Sequence, residues 1–129
     1  MDERLDAVRR LWATYREEGV DPAIALLDPE VEFVDHRGRT FSGHHGVREF
    51  FDEFAERGQQ FMASPYTFEL HEPDLIVIGH RRIRSEDGDL RGEYLYFVHS
   101  CRDGRVCRIS AHTEKEAALA EIDERAGSG

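Results

Sequence analysis

Cysteines and long apolar runs are scarce in this sequence. Only two of its 129 residues are cysteines, Cys101 and Cys107, too few for a disulfide framework, and we expect both to be free thiols. No stretch approaches the ~18 apolar residues of a membrane span. No apolar run follows a cationic N-terminal start, as a signal peptide requires. We therefore expect a cytoplasmic protein with no membrane partner.

Positive charge is also scarce. Lysine and arginine number 17 against 27 aspartates and glutamates, which gives a net charge of −10. Nucleic-acid binding needs a basic face, so we expect no nucleic-acid partner. A small apolar molecule suits this charge as a ligand. The length is that of one domain, and we predict a single soluble domain over residues 1–126 with a flexible tail at 127–129.

Motifs for metals, cofactors and activated nucleophiles are absent as well. The seven histidines show no H-E-x-x-H spacing, and there is no C-x-x-C pair. His44 and His45 are adjacent, so they cannot share one face of a helix. The sequence has no G-x-S-x-G, no phosphate-binding loop and no dinucleotide fingerprint. We expect neither a metal site nor a cofactor.

What the sequence does contain is an ordered series of helix and strand patterns. Apolar residues at helical spacing predict helices over 3–18, about 22–27 and about 44–57, and a capping box at Thr113 opens a fourth helix. Apolar runs predict strands over 31–35, 66–71, 75–84, 94–101 and 106–113, with residues 37–43 in a loop. Strands grouped in hairpins indicate an α+β fold whose antiparallel sheet curls around one layer of helices and encloses a cavity.

The last predicted hairpin admits two registers. A two-residue turn of Asp103-Gly104 pairs Cys101 with Val106, whereas a three-residue loop with Gly104 left-handed pairs Cys101 with Arg105. We favour the three-residue loop because it gathers the more apolar side chains of both strands on the face toward the helices. That inward face carries Leu95, Phe97, His99, Cys101, Cys107, Ile109, Ala111 and Thr113.

The opposite side of this hairpin is the predicted outer face of the sheet. It carries Tyr94, Tyr96, Val98, Arg108, Ser110 and His112. Two tyrosines and a valine on one surface suit contact with a second subunit. We therefore expect the outer face to be available for packing against another copy of the chain.

Asp35 is the candidate general base. Period two on the strand places Asp35 on the same face as Val31 and Phe33, so its carboxylate is expected to point toward the core. A largely apolar cavity disfavours the ionised form of a carboxylate, which suits it to proton transfer near neutral pH. The alternative is structural, because an aspartate that begins a turn can cap a backbone N–H within residues 36–38.

Three further side chains are candidates near the cavity. His99 can serve as an acid or a base near neutral pH, or it can be a core histidine with its hydrogen bonds satisfied. Tyr15 lies on the apolar side of the first helix and can donate a hydrogen bond to a ligand oxygen, or simply pack. Trp12 is expected to pack. The stripe of Phe50, Phe51 and Phe54 is core or cavity wall.

Three segments together resemble the SnoaL-like branch of the nuclear-transport-factor-2-like superfamily. Residues 26–33 resemble its second helix and first strand, residues 42–51 the start of its third helix, and residues 102–106 its last hairpin. The resemblance implies a cone-shaped α+β roll. In it, a curved antiparallel sheet wraps around three helices from the N-terminal half, and a short C-terminal helix follows. It also implies a homodimer packed through the outer sheet face.

Members of this superfamily include ketosteroid isomerases and polyketide cyclases, and the isomerase comparison implies roles for individual residues. Its catalytic aspartate and two oxyanion-hole donors correspond to Asp35, to Tyr15 and, for the second donor, to about Phe97. Phenylalanine cannot donate a hydrogen bond, and His99, one step along the same face, is the candidate substitute. This departure counts against steroid isomerisation itself.

Two functions are consistent with these observations. The first is an acid–base enzyme of the isomerase, cyclase or dehydratase type, with Asp35 as base and with Tyr15 and His99 polarising a carbonyl or hydroxyl group. The second is a ligand-binding or dimerisation module without chemistry. In either case the expected ligand is a small apolar molecule, contacted by Trp12, Phe33, Phe51, Phe54, Phe97, Ile109 and Thr113.

Overall fold

Helices and strands follow one another in the predicted order, with one additional short strand. A computed structural model describes residues 2–127. Its helices are α1 (Glu3–Glu18), α2 (Val20–Leu26), α3 (Gly43–Glu56) and α4 (Lys115–Gly127). Its strands are β1 (Glu32–Val34), β2 (Thr40–Ser42), β3 (Gln60–His71), β4 (Asp74–Arg84), β5 (Leu90–Arg102) and β6 (Arg105–His112). Of the predicted tail, residue 127 is the last of α4, and residues 128 and 129 lie outside the described part.

The six strands form one curved sheet in the order β2-β1-β6-β5-β4-β3. All neighbours are antiparallel except β1 and β6, which are parallel and pair Phe33 with Ile109. The predicted antiparallel sheet is therefore corrected to a mixed one. The sequence pattern could not predict that β1 pairs with β6. Helix α3 separates β1 from the four long strands, and none of these follows β1 in a hairpin.

Strand β2 lies in the segment that the sequence pattern assigned to a loop. It pairs antiparallel with β1, joining Phe41 to Phe33. Three residues between glycine-bearing segments are too few for a periodic signal, which explains the missed strand. Gly46 lets α3 pack closely on β2, because a Cβ there would lie 2.8 Å from the backbone carbon of Phe41.

Helix α1 has a defined start, a defined end and one apolar face. The Asp2 carboxylate accepts from the backbone N–H groups of Arg4 and Leu5, which satisfies donors that the first turn leaves unpaired. The helix ends at Gly19, whose N–H donates to the Tyr15 carbonyl. Its inner face is buried through Val8, Leu11 and Trp12. This packing sets Trp12 and Tyr15 against the concave side of the sheet.

The last hairpin has the two-residue turn, so the favoured three-residue loop was wrong. Asp103 and Gly104 have φ of 52° and 77°, as a tight hairpin turn with two left-handed residues requires, and Cys101 pairs with Val106. A register shift between Ser100 and Cys101 then pairs His99 with Ile109. The predicted partner of His99 was Cys107, two residues away, so the inward positions of His99 and Ile109 were predicted correctly. Beyond the shift the predicted face was wrong, because Val106 rather than Cys107 joins the core and Thr113 is exposed.

Helix α4 covers part of the predicted outer face. Ala118 and Ile122 pack on Ile76 and Val98 in a second small apolar cluster, and Val98 is fully buried. The Glu121 carboxylate also accepts hydrogen bonds from the Ser110 hydroxyl (2.7 Å) and the His112 ring (2.9 Å). We had expected the whole outer face of β5 and β6 to be open to a partner. Helix α4 covers part of it, so only the remainder is open.

Candidate functional site

An apolar cavity of about 90 Å³ lies between the first three helices and the inner face of the sheet. Helix α1 contributes Trp12 and Tyr15, and the sheet contributes Phe33, Phe97, His99 and Ile109. Phe50 and Phe51 of α3 complete the wall together with Phe61 of β3. The amphipathic patterns of α1 and α3 thus turn aromatic side chains of both helices toward one apolar space.

His99 is held by two hydrogen bonds deep in the wall of this cavity. The indole Nε1 of Trp12 donates to His99 Nε2 at 3.0 Å, and His99 Nδ1 donates to the Phe97 carbonyl at 3.0 Å. The side chain is fully buried, and burial lowers the pKa of His99 to about 4. The ring is therefore neutral at pH 7, its tautomer is fixed, and neither nitrogen is available to a ligand.

Tyr15 lines the cavity and carries a hydroxyl group. Its ring lies against Phe51 with centroids 5.8 Å apart. Among residues 2–127 the structure provides no hydrogen-bond partner for its hydroxyl. Burial raises the pKa of Tyr15 to about 12, so the phenol keeps its proton at neutral pH and can donate a hydrogen bond.

Asp35 is buried, but in different surroundings from those predicted. Its Oδ1 accepts from the backbone N–H groups of Arg37 (3.0 Å) and Arg39 (2.9 Å), and its Oδ2 lies 3.4 Å from Arg39 Nε. These are the turn-capping contacts of the structural alternative. The carboxylate does not line the apolar cavity, because the chain turns away after Val34 and the Asp35 N–H closes the hairpin onto the Arg39 carbonyl.

Asp35 instead lines a polar cleft of about 630 Å³ beside the apolar cavity. Five arginines line it, Arg37, Arg39, Arg57, Arg81 and Arg91, together with three carboxylates, Asp35, Glu53 and Glu93. Phe50 lines both spaces. The cleft and the cavity are therefore neighbours that share an aromatic wall.

Ion pairs organise the interior of the polar cleft. Arg39 Nη2 lies 2.6 Å from Glu53 Oε1, and Arg81 forms an ion pair with Glu93. Arg81 Nη1 also donates to His36 Nδ1 at 3.4 Å. Burial lowers the pKa of His36, and the neighbouring Arg81 charge lowers it further. His36 is thus a neutral ring next to Asp35.

The predicted site residues fall into three places. The apolar cavity brings together Trp12, Tyr15, Phe33, Phe51, Phe97, His99 and Ile109. Phe54 lies with Asp35 in the polar cleft. Thr113 is exposed, because β6 ends one residue earlier and Thr113 already belongs to the turn before α4. It therefore does not contact the cavity that it was expected to line.

Some cavity residues were missed because the start of β3 was missed. Phe61 and Ala63 line the cavity from the first half of β3, whereas the predicted strand began at residue 66. Ser64-Pro65 looks like a strand end in sequence. In the structure the pairing of β3 with β4 continues across it, with a register shift between Pro65 and Thr67, the kind of irregularity that tolerates proline in a strand.

The described part of the chain contains no reactive cysteine, no metal site and no membrane-spanning helix. Both cysteines are free thiols, as predicted, and burial raises the pKa of Cys101 to about 11, so it is protonated at pH 7. Across residues 2–127, no three His, Cys, Asp or Glu side chains are grouped to hold a metal ion. None of the helices there is long and apolar enough to cross a membrane.

Comparison with solved structures identifies the same fold in other proteins. TerC, co-crystallised with polyporic acid, has a TM-score of 0.76 and 22% identity over 95% of this chain and 99% of its own. A putative polyketide cyclase from Xanthomonas campestris pv. campestris has a TM-score of 0.73 and 12% identity over 94% and 99%. The Delta 5-3-ketosteroid isomerase from Mycobacterium sp. has a TM-score of 0.70 and 11% identity over 91% and 97%.

The sequence itself gives a match to a family model. Among curated proteins none matches significantly. The model of the SnoaL-like domain, however, matches residues 8–109, a range that runs from the buried face of α1 to the strand that pairs with β1. Since this match covers most of the sequence, the chain belongs to the SnoaL-like domain family.

Proposed function

We propose that this protein binds a small, largely apolar molecule in the hydrophobic cavity, where Tyr15 donates a hydrogen bond to a carbonyl or hydroxyl oxygen. The observation that carries the proposal is a protonated phenol with no partner among residues 2–127, set in a wall of aromatic and aliphatic side chains. A ligand oxygen there would satisfy the hydroxyl, and the apolar remainder of the ligand would leave water.

The size of the cavity limits the ligand to about one ring. Its volume is about 90 Å³, and an apolar cavity of ~150 Å³ is enough to hold benzene. Phe51 and Phe61 are only partly buried, so a modest shift of these rings makes the remaining space. The relatives support a small-molecule ligand, since one was crystallised with polyporic acid and another is an isomerase.

An acid–base reaction on the bound molecule is the second part of the proposal, with Asp35 as the base. Oδ1 holds the turn, so the proton would go to Oδ2, which lies 3.4 Å from Arg39 Nε. Asp35 is two residues from Phe33 of the cavity wall, and Phe50 borders both spaces. Tyr15 would polarise the carbonyl, an arrangement that isomerisation, aldol cyclisation and dehydration share. His99 would position Trp12 rather than donate a proton.

Substitution of Tyr15 by phenylalanine tests the binding proposal. The variant keeps the ring against Phe51 and removes only the hydroxyl, so 4-methylphenol is expected to bind about 3- to 10-fold more weakly, the value of one hydrogen bond. Toluene, which has no oxygen, is expected to bind both proteins equally. Isothermal titration measures all four affinities, and an equal loss for toluene would show that the hydroxyl is not a specific contact.

A homodimer is proposed through the part of the outer face that α4 leaves open. Tyr66 and Tyr94 are 71% and 54% exposed, and their rings meet edge to face with centroids 6.0 Å apart. Exposed tyrosines grouped in this way favour a protein interface. Sedimentation at micromolar concentration is expected to give a dimer that Tyr94→Asp converts to a monomer. A monomeric wild-type protein would contradict the proposal.

A further inference from the structure

We propose that the arginine-lined cleft binds the carboxylate of the same molecule whose apolar part fills the hydrophobic cavity. The ligand is then an apolar carboxylic acid. This inference rests on the proposed function, because it extends the ligand of that cavity into the neighbouring space. It gives the chemical class of the ligand, whereas the cavity alone indicates only the ligand's size and polarity.

The charge of the cleft is opposite to that of the chain. The whole sequence has a net charge of −10, yet five arginines face three carboxylates in the lining of the cleft. Arg39 lies against Glu53 and Asp35, Arg81 against Glu93, and Arg91 against Asp89, 3.2 Å away. The lining therefore holds more positive than negative charge before any ligand enters.

Two of these arginines have no acidic partner within the described residues. Arg37 takes part in no ion pair there, and the Arg57 guanidinium lies over the Phe54 ring, 5.1 Å from its centroid. The planar guanidinium offers paired N–H donors that match the two oxygens of a carboxylate. Arg57 on its aromatic ring thus combines a charge for the acid group with an apolar surface for the carbon atoms next to it.

Arg81 is the third cation of the proposed carboxylate site, and it is the most buried of them. Its side chain is 12% exposed, whereas its partner Glu93 is 44% exposed. Burial lowers the pKa of Arg81, and the charge of the exposed Arg37 adds to the effect. A ligand anion in the cleft would be attracted by both charges.

The two spaces border the same aromatic side chain. Phe50 lines both, and Asp35 of the cleft is two residues along the chain from Phe33 of the cavity wall. The Asp35 carboxylate does not repel an incoming anion strongly, because Oδ1 accepts two backbone N–H bonds and Arg39 Nε faces Oδ2. We expect a ring with a chain of two or three carbons ending in a carboxylate to reach from the cavity past Phe50 into the cleft.

Titration calorimetry with 3-phenylpropionate and its neutral amide tests the inference. The acid is expected to bind about tenfold more tightly than the amide at low salt, and added salt should reduce the difference. In the double variant Arg37→Gln/Arg57→Gln this preference is expected to fall to about twofold, with the amide unaffected. Both arginines are exposed, so the variant is expected to fold.

The matched control changes two arginines outside the cleft. Arg16 and Arg84 are also exposed and do not line it, so Arg16→Gln/Arg84→Gln alters the net charge equally and should keep the preference for the acid. The same loss in both double variants would overturn the inference, since the preference would then come from overall charge. If the amide binds as tightly as the acid, the inference of a carboxylate site is overturned. If Tyr15→Phe also weakens binding of the amide, the proposed function still stands.

Acetate separates the remaining outcomes. It carries the carboxylate without the ring, so it is expected to bind far more weakly than 3-phenylpropionate. Equal affinity for acetate, abolished in Arg37→Gln/Arg57→Gln and insensitive to Tyr15→Phe, would mean that the cleft binds anions independently of the cavity. That result would overturn the inference that one ligand occupies the cleft and the cavity together. Binding of 3-phenylpropionate would then give no support to ligand binding in the cavity.

Discussion

Replacing Asp35 by asparagine is expected to slow proton exchange on a bound ketone by about 100-fold or more, the usual contribution of a general base. The asparagine oxygen can still accept the two backbone N–H bonds that hold the turn. The fold and the affinity for the ketone should therefore be kept while the proton acceptor is lost. The measurement is deuterium incorporation at the carbon next to the carbonyl of cyclohexanone, followed by NMR in D₂O.

The control for this variant is Glu53→Gln. Glu53 lies in the same cleft and pairs with the same arginine, Arg39, so its substitution removes the same charge without touching Asp35. Exchange is expected to stay within a few-fold of the wild-type rate. If wild-type protein exchanges deuterium no faster than buffer does, or if Asp35→Asn retains the wild-type rate, Asp35 is only the cap of its turn and the protein is a binding module.

Acidification is expected to destabilise the protein through His99. Its pKa is about 4 in the folded state because the ring is buried, against about 6.5 in an unfolded chain. As pH falls below the unfolded value, the unfolded state takes up a proton that the folded state does not. Stability is therefore fully present above about pH 6.5 and is lost toward about pH 4, with about 2 kcal/mol of the free energy of unfolding gone by about pH 5.

Substitution of His99 by glutamine separates this effect from the titration of other groups. The glutamine oxygen can accept the Trp12 indole N–H but cannot be protonated at these pH values, so the pH dependence should flatten by the same amount. His45→Gln is the matched control, because the His45 side chain is 86% exposed and its loss should leave the slope unchanged. Urea unfolding at several pH values measures all three proteins. Equal slopes in wild type and His99→Gln would contradict a neutral, buried His99.

The elements that sequence predicts well are those fixed by local pattern. Helix α1 covers the predicted residues because its apolar side chains recur at helical spacing and Gly19 ends it. The inward positions of Phe97 and His99 were also predicted correctly, although the pairing was not. The alternation of a strand fixes the face, and an error of two residues in register does not change it.

The features that sequence did not predict depend on tertiary contacts. The parallel pairing of β1 with β6 joins residues 76 positions apart, and no local signal marks it. Asp35 has the right period for the core, yet its hydrogen bonds to Arg37 and Arg39 turn it toward the cleft. The single Trp12 donor that satisfies His99 lies 87 residues away in sequence, so the state of that histidine could not be read from its neighbours.

The arginine cleft was missed for the same reason. Its cations come from the β1–β2 turn, the end of α3, β4 and β5, and each looks like an ordinary surface charge in sequence. The net charge of −10 argued for a neutral ligand, because it averages over the whole surface. Local charge at a concave site can oppose the average, and only the fold shows which arginines meet.

The cavity as a ligand site is tested most directly by intermolecular NOE measurements with 4-methylphenol. The methyl groups of Ile24, Val47 and Ile109 lie around or beside this space, whereas Ile76 packs under α4 on the other side of the sheet. Cross-peaks from the phenol ring to the first three methyl-bearing side chains, with none to Ile76, are the expected result. At saturating ligand, the absence of contacts to the cavity methyl groups, or contacts only to the outer face, would contradict the proposed function.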